Sequence, residues 1–393
     1  MSNDPSTAGP ATLPELALAP GTAFGIYVHV PFCATRCGYC DFNTYTAAEL
    51  GGATVDGWLA ALRSELALAA ATVGPVPVDT VFVGGGTPSL LGAARLAEVL
   101  GAVRDCFALA PDAEVTTEAN PESTSPAFFD AIRSAGYTRV SLGMQSASPR
   151  VLAVLDRTHS PGRAVAAARE ALAAGFDHVN LDLIYGTPGE TDDDLLASVD
   201  AAVTAGVDHV SAYALVVEDG TAMARRVRRG EIDSTDDDVL ARRYQLIDAR
   251  LSAAGLQWYE VSNWSRAGAA CRHNEGYWNG GQWWGAGPGA HGYVGDVRWW
   301  NVKHPRAYAE VLAEGRSPAA GFERLEARER HIEDVLLGIR LRRGLALAVL
   351  TDSERLRVQR FLDARLLIAA GERVVLSDRG RLLADAVVRD LLD

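Results

Sequence analysis

The chain has 393 residues, 48% of them hydrophobic, and a formal net charge of −13. That length buries a large core and divides into more than one domain. The acidic balance excludes nonspecific binding to nucleic acid or to an anionic membrane surface, since both need clustered Lys and Arg. No unbroken apolar run reaches the length of a membrane span, and the N-terminus lacks the basic, apolar and cleavable order of a signal peptide, so a cytoplasmic protein is expected.

Residues 1–22 are rich in Ala, Pro, Thr and Ser without periodicity, which predicts a flexible leader. From Phe24 the pattern changes. Short β-branched runs centred on Ile26–Val30, Thr80–Gly84, Glu114–Glu118, Arg139–Gly143, Val179–Ile184 and Val210–Ala214 alternate with Ala- and Leu-rich segments of helical period. The helices fall over Asp56–Ala71, Ala93–Cys106, Ala127–Ala135, Arg163–Ala174 and Asp192–Ala205, and several stop at Gly, as at Gly136, Gly175 and Gly206. Six β/α units over residues 23–220 are too few for a closed eight-stranded barrel and predict an open, partial (β/α)6 barrel. The alternative, a doubly wound sheet, would place G-x-G-x-x-G after its first strand. Cysteines fill that position instead.

Cys33, Cys37 and Cys40 are three of the chain's five cysteines and lie within eight positions. Structural zinc would want a fourth Cys or His at matching spacing, and none follows nearby. Three thiolates holding an iron–sulfur cubane leave one iron open to an exchangeable ligand, although unpaired thiols and zinc remain alternatives on spacing alone. Cys106 and Cys271 sit among apolar or small residues and read as buried reduced thiols.

In parallel α/β folds, ligands meet the C-terminal ends of the strands. There the second strand runs into Gly84-Gly85-Gly86-Thr87, the third into Glu118, the fourth into Gln145 and then Arg157, and the fifth carries Asp182. The glycines permit close backbone approach to a ligand, or merely a tight turn. The two carboxylates face one rim, where ligand contact competes with an ordinary exposed carboxylate.

Together YVHVPFCATRCGYCDFN, GGGTPS, TEANPE, SLGMQS, DRTH and NLDLIYGTPGET resemble the radical S-adenosylmethionine (SAM) proteins, in the branch of the oxygen-independent coproporphyrinogen III dehydrogenases and the related heme chaperones. The resemblance implies a [4Fe-4S] cluster on Cys33, Cys37 and Cys40, and SAM contacts from Tyr27, Gly85 and Glu118. Tyr39, Gly86, Thr87, Gln145, Arg157 and Asp182 resemble positions that hold a second SAM in the dehydrogenase. That enzyme has a further Cys two places after the third ligand, where this chain has Phe42, and its structured N-terminal segment has no counterpart in residues 1–22. Both departures favour the chaperone branch, whose HNxxYW heme motif is matched by His273-Asn274-Glu275-Gly276-Tyr277-Trp278. The resemblance therefore implies heme, handed on to an acceptor protein, membrane-associated respiratory proteins among the candidates. Dehydrogenase chemistry on coproporphyrinogen III is the alternative.

Residues 221–320 read as a connecting region. Its aromatics and glycines suit a flat, largely apolar macrocycle, with His273 and His291 as candidate iron ligands. The run Arg225-Arg226-Val227-Arg228-Arg229 predicts a solvated helix face opposite Asp236–Asp238, with heme propionates as the other reading. Residues 321–393 predict helices over Arg328–Arg340, Ser353–Ala370 and Gly380–Leu392 with a short strand pair at Arg373–Leu376, a winged-helix-like module used for packing or docking.

Overall fold

The computed structural model describes residues 12–19, 21–157 and 160–393. Strands and helices alternate through β1 (Phe24–Val30), α1 (Val55–Val73), β2 (Val78–Gly85), α2 (Gly92–Cys106), β3 (Leu109–Ala119), α3 (Pro126–Ala135), β4 (Arg139–Gln145), α4 (Pro149–Val154), α5 (Arg163–Ala173), β5 (His178–Tyr185), α6 (Asp192–Ala205) and β6 (His209–Ala214). The six strands lie side by side in chain order and every neighbouring pair is parallel. In β1, Ile26, Val28 and Val30 are fully buried on one face, while Tyr27 and His29 alternate onto the other. Helix α1 packs Trp58, Leu62, Leu66 and Ala69 onto the sheet at helical spacing. Thr54 caps its start, Thr191 and Asp194 form a reciprocal capping box on α6, and Gly136 and Gly206 close α3 and α6 in the left-handed conformation.

Past β6 the order is α7 (Ala222–Arg228), α8 (Asp237–Ala253), β7 (Gln257–Glu260), β8 (Asn263–Ser265), α9 (Arg272–Trp278), β9 (Gln282–Ala286), β10 (His291–Val294), β11 (Val297–Asn301), α10 (Pro305–Ala313) and β12 (Ala319–Arg324). These strands widen the sheet to twelve: β8 and β7 extend it beyond β6, and β9 runs parallel to β1 with β10, β11 and β12 continuing outward. The segment expected to connect is thus sheet on both flanks. Its strands are carried by Trp and Gly rather than by β-branched residues, and the glycines let aromatic rings lie on the backbone. A Cβ on Gly321 would come 2.6 Å from the Trp300 ring. Buried Glu65 of α1 fastens this extension, accepting from Tyr308 Oη (2.5 Å), Asn301 Nδ2 (2.8 Å), the Gly287 N–H (2.8 Å) and Trp284 Nε1 (3.3 Å).

Part of the expected leader is docked. Leu16 is buried, Leu13 and Leu18 pack on the main core, and the Ala19 N–H donates to Gln282 Oε1 at 3.4 Å. Residues 1–11 and 20 of the leader, and Thr158 and His159 of DRTH, lie outside the described residues.

The C-terminal part comprises α11 (Ala327–Gly338), β13 (Leu345–Ala346), α12 (Asp352–Asp363), β14 (Leu367–Ala370), β15 (Arg373–Leu376), α13 (Asp378–Leu382) and α14 (Ala384–Leu392). It has its own apolar cluster around Val335, Ile339, Phe361, Val387 and Leu391, and a three-stranded sheet ordered β13-β15-β14. The helix expected through Ala370 ends at Asp363, because Arg365 turns left-handed (φ 57°) and the chain returns as β14 against β15. The last expected helix is likewise split at Leu383. Arg381 ties the module to α8 and β7: its guanidinium lies 4.6 Å from the Trp258 ring and 5.4 Å from that of Tyr244, and it donates to both Asp248 oxygens at 3.1 and 2.5 Å.

Candidate functional site

The cysteine loop leaves β1 at the C-terminal rim of the barrel, and backbone bonds hold it there. The Gly86 N–H donates to Val30 O (2.7 Å), the Thr87 N–H to Phe32 O (2.8 Å) and the Met223 N–H to Gly38 O (2.8 Å). A Cβ on Gly86 would sit 2.5 Å from Phe32 O, so the glycine run is required by close packing against the cysteine loop. The His29 Nε2–H donates to Asn43 O at 2.9 Å while Nδ1 accepts from Tyr27 Oη at 3.0 Å, which fixes a neutral ring beneath the loop.

Cys33, Cys37 and Cys40 are all reduced and half-buried. Burial pushes the Cys33 and Cys40 thiols up, the latter to about 11, leaving them inert until a metal takes the thiolates. Arg157 donates to Cys37 Sγ at 3.4 Å and to Gly143 O at 3.4 Å. The three cysteines, with Arg157 beside Cys37, are the thiol set that the family motif assigns to the cluster. An all-thiol set spread around one loop fits a cluster, whose irons are reached separately.

Beneath the rim a cavity of about 130 Å³ is lined by Tyr27, Glu118, Asp182 and inward residues of β2–β6, and from below by His273, Asn274 and Tyr277. Glu118 accepts the Gly85 N–H at 2.9 Å, where Gly85 takes φ 111°. Burial, then the nearby charge of Asp182, pushes Glu118 up to about 8. Asp182 is also raised by burial, although it accepts from Ser141 Oγ (2.8 Å) and Asn180 Nδ2 (2.8 Å). Asn180 continues the network to Ser211 (2.9 Å) and to His209 (2.6 Å), which meets Tyr259 Oη at 2.9 Å. Gln145 stands left-handed (φ 64°) at a register shift in β4, and a Cβ on Gly143 would press within 2.9 Å of its amide and 3.0 Å of Arg157. A bulky non-Gly residue held there marks strain maintained by its surroundings. Tyr39 packs beside the Val151, Leu155 and Met223 cluster near Arg157.

The HNxxYW segment lies at the opposite end. It is α9, and it plugs the floor of the barrel, where β1–β4 begin. The Arg272 and His273 N–H groups donate to Glu114 (3.1 and 3.0 Å), Cys271 Sγ donates to the same carboxylate (3.3 Å), and Glu114 is paired with buried Arg139 at 3.1 Å. His273 Nδ1 bonds Thr80 Oγ1 and Nε2 bonds Tyr277 Oη, both at 2.8 Å, and its ring stacks on Phe82 at 5.3 Å. Burial lowers it to about 4, so the ring is neutral and both nitrogens are engaged. Asn274 is spent on Glu260 (2.9 Å). His273, the expected iron ligand, is held at the floor with its two nitrogens on the Thr80 and Tyr277 hydroxyls.

The structure therefore brings Tyr27, Tyr39, Gly85, Gly86, Thr87, Glu118, Gln145, Arg157 and Asp182 together around the cysteine rim and the cavity below it, with His273 at the floor of that same cavity. The basic run on α7 pairs with Asp219 and Glu231 rather than with Asp236–Asp238. Sequence reading missed Ser141, Ser211 and His29. Their signal was present: polar residues at alternate positions of otherwise apolar strands, as in Asn180/Asp182 and His209/Ser211, mark a wet inner face.

Residues 27–202 match the model of the Radical SAM superfamily. The chain is 71% identical over 98% of its length to the heme chaperone HemW of Mycobacterium tuberculosis, covering 98% of that protein. It is 32% identical to the Bacillus subtilis heme chaperone HemW, over 81% of this chain and 84% of that one. Its fold superposes on the structure of HemN, the coproporphyrinogen III oxidase of Escherichia coli, with a TM-score of 0.81 at 21% identity, over 95% of this chain and 91% of that one. The chain belongs to the radical SAM superfamily, in the same family as these HemW proteins. The superfamily implies a [4Fe-4S] cluster and SAM. No helix among the described residues is long and apolar enough to cross a membrane.

Proposed function

We propose that this chain is a cytoplasmic heme chaperone that binds heme and passes it to an acceptor protein. The observation that carries this reading is the near-complete match, at 71% identity, to a protein named heme chaperone HemW. Phe42 supports it: this position is Phe, 61% exposed, where the dehydrogenase resembled in sequence has a further cysteine. The HemN likeness, at 21% identity, speaks to fold alone.

In this reading Cys33, Cys37 and Cys40 hold the cluster. Tyr27, Gly85 and Glu118 receive the SAM bound to its open iron, and Arg157 keeps positive charge beside Cys37. When bound, the cluster supplies an electron-transfer centre with one exchangeable position. Tyr39, Gly86, Thr87, Gln145 and Asp182 line the same rim and are assigned to the outer part of the SAM site. The winged-helix-like module, clamped by Arg381, offers the acceptor a surface rigidly set against the barrel.

The test is anaerobic and has two arms. The reconstituted full chain is titrated with hemin, and in parallel is given SAM, a reductant and coproporphyrinogen III. A stoichiometric heme complex without protoporphyrinogen formation is expected. Turnover of coproporphyrinogen III without heme uptake would overturn the proposal in favour of the dehydrogenase.

A further inference from the structure

We infer that Thr80 of β2 is the positioning residue for heme iron: its hydroxyl holds Nδ1 of His273 so that Nε2, now closed by the Tyr277 hydroxyl, is the nitrogen offered to the iron. The inference rests on the heme reading above, keeps His273 as the ligand that the HNxxYW resemblance implies, and adds what orients it.

Several elements converge on the His273 ring. Thr80 Oγ1 lies 2.8 Å from Nδ1, Tyr277 Oη lies 2.8 Å from Nε2, and Phe82 stacks on the ring at 5.3 Å and 26°. The backbone of β1 is as close. A Cβ on Gly25 would come 2.8 Å from Thr80 Oγ1 and 3.2 Å from both Cε1 and Nδ1 of His273, so the glycine makes the room in which the Thr80–His273 pair fits. Gly25 and Glu114 are the register partners of Thr80 on its two sides, and Glu114 accepts the His273 N–H at 3.0 Å. Three neighbouring strands thus fix the position of one imidazole.

The two nitrogens are held by unlike partners. Thr80 is 7% exposed, in a strand paired on both sides, and a β-branched side chain there is stiff, so its hydroxyl stays on Nδ1. Its hydroxyl has no other hydrogen-bond partner among the described residues. Tyr277 stands four residues along the same helix, is only half-buried, and meets Trp283 edge-on at 4.5 Å. Rotation of that one side chain uncovers Nε2 while α9 keeps its seat on Glu114.

A ligating histidine is oriented by the hydrogen bond of its other nitrogen, which sets the tautomer and raises the basicity of the ligand. With Nδ1–H donating to Thr80 Oγ1, Nε2 bears the lone pair, which now accepts the Tyr277 O–H. Heme binding exchanges that hydrogen bond for an iron–nitrogen bond. No proton or electron is transferred in the exchange, and the tyrosine keeps its proton. Tyr277 is therefore a placeholder for the iron, and Thr80 is the fixed support behind the ligand.

The test titrates hemin into the full chain and into Thr80→Val, Thr80→Ala, Thr80→Ser, Tyr277→Phe and His273→Ala. Affinity and uptake rate are read from the Soret band and the ferric/ferrous midpoint by redox titration, with circular dichroism confirming the fold. Thr80→Val keeps the β-branched shape and is expected to weaken hemin binding about tenfold or more and to shift the midpoint to more positive potential, because a less basic imidazole stabilises ferric iron less. Thr80→Ala repeats this in a smaller residue, and Thr80→Ser restores both values. Tyr277→Phe removes the competing donor and is expected to take up hemin several-fold faster at the wild-type midpoint. Wild-type affinity and midpoint in a folded Thr80→Val or Thr80→Ala chain would overturn the role of Thr80, and unchanged or slower uptake by Tyr277→Phe would overturn that of Tyr277. A wild-type heme spectrum in His273→Ala, or failure of the wild-type chain to take up hemin, would instead bring down the underlying reading.

Discussion

The two ends of the barrel are built from similar residue types and treat them in opposite ways. At the floor, Glu114, Arg139, Cys271 and His273 are nearly all buried in mutual hydrogen bonds, and α9 is seated on them as a plug. At the rim, three half-buried thiols, Arg157 and the Glu118–Asp182 pair stand with capacity left over, and the backbone beneath them is strained at Gln145. A histidine or cysteine is a candidate ligand by type alone. What separates the two ends is whether the fold has already satisfied it: buried polar groups that are fully paired stabilise until a partner is exchanged, and those held short of pairing are available for chemistry at once.

The comparison breaks most visibly if a rim cysteine is removed. Cys37→Ala is expected to abolish the cluster, read as loss of bound iron and sulfide after reconstitution, while the metal-free protein melts within a few degrees of wild type. Retained stoichiometric iron would contradict the rim assignment. The floor should respond in the converse manner. Glu114→Ala strands a buried guanidinium and three donors, and denaturant titration should register a loss of about 3–5 kcal/mol. His273→Ala, which gives up two hydrogen bonds and a stacked ring, should cost about 2–4 kcal/mol with the metal-free fold otherwise intact.

A smaller effect concerns pH. Glu118 is raised by burial to about 8, above the roughly 4.3 of an unfolded chain, so the folded state holds an extra proton between those values. Its contribution to stability is complete below that window and is lost as pH rises through it. In Glu118→Gln of the metal-free protein the slope of stability against pH there should flatten by up to about 1.4 kcal/mol per pH unit. An unaltered slope would mean that the carboxyl is ionised in the fold. The smallest change is expected at Phe42, which is 61% exposed: Phe42→Ser should alter stability by less than about 0.5 kcal/mol, and calorimetry can check it.

Much of the barrel was legible before any coordinates. All six parallel strands fall on the β-branched runs, and α3, α5 and α6 end at or beside the positive-φ glycines Gly136, Gly175 and Gly206, because local propensity and burial pattern agree there. Glu118, Gln145 and Asp182 followed from a topological rule about strand ends, and Tyr27 and Tyr39 from the family resemblance. The flanking strands did not, since Gln282–Ala286 and His291–Val294 are strands only because a neighbouring edge needs pairing and glycine lets Trp rings lie flat. The helix expected through Ala370 failed for a similar reason: β15 draws Leu367–Ala370 into a sheet.

By itself the sequence determined the open barrel, the three thiols at the end of its first strand and the family to which the chain belongs, since these reside in short-range periodicity and in contiguous motifs. Only the tertiary structure decided what holds each histidine. His273 lies in the motif and His291 in a glycine turn, and nothing local distinguishes their imidazoles. Thr80, 193 residues away, closes one nitrogen of the first, with Tyr277 on the other. The pairing of β10 with β11 leaves the second beside Trp300 in solvent. The holding of an imidazole is a property of long-range hydrogen bonds, which sequence order does not record.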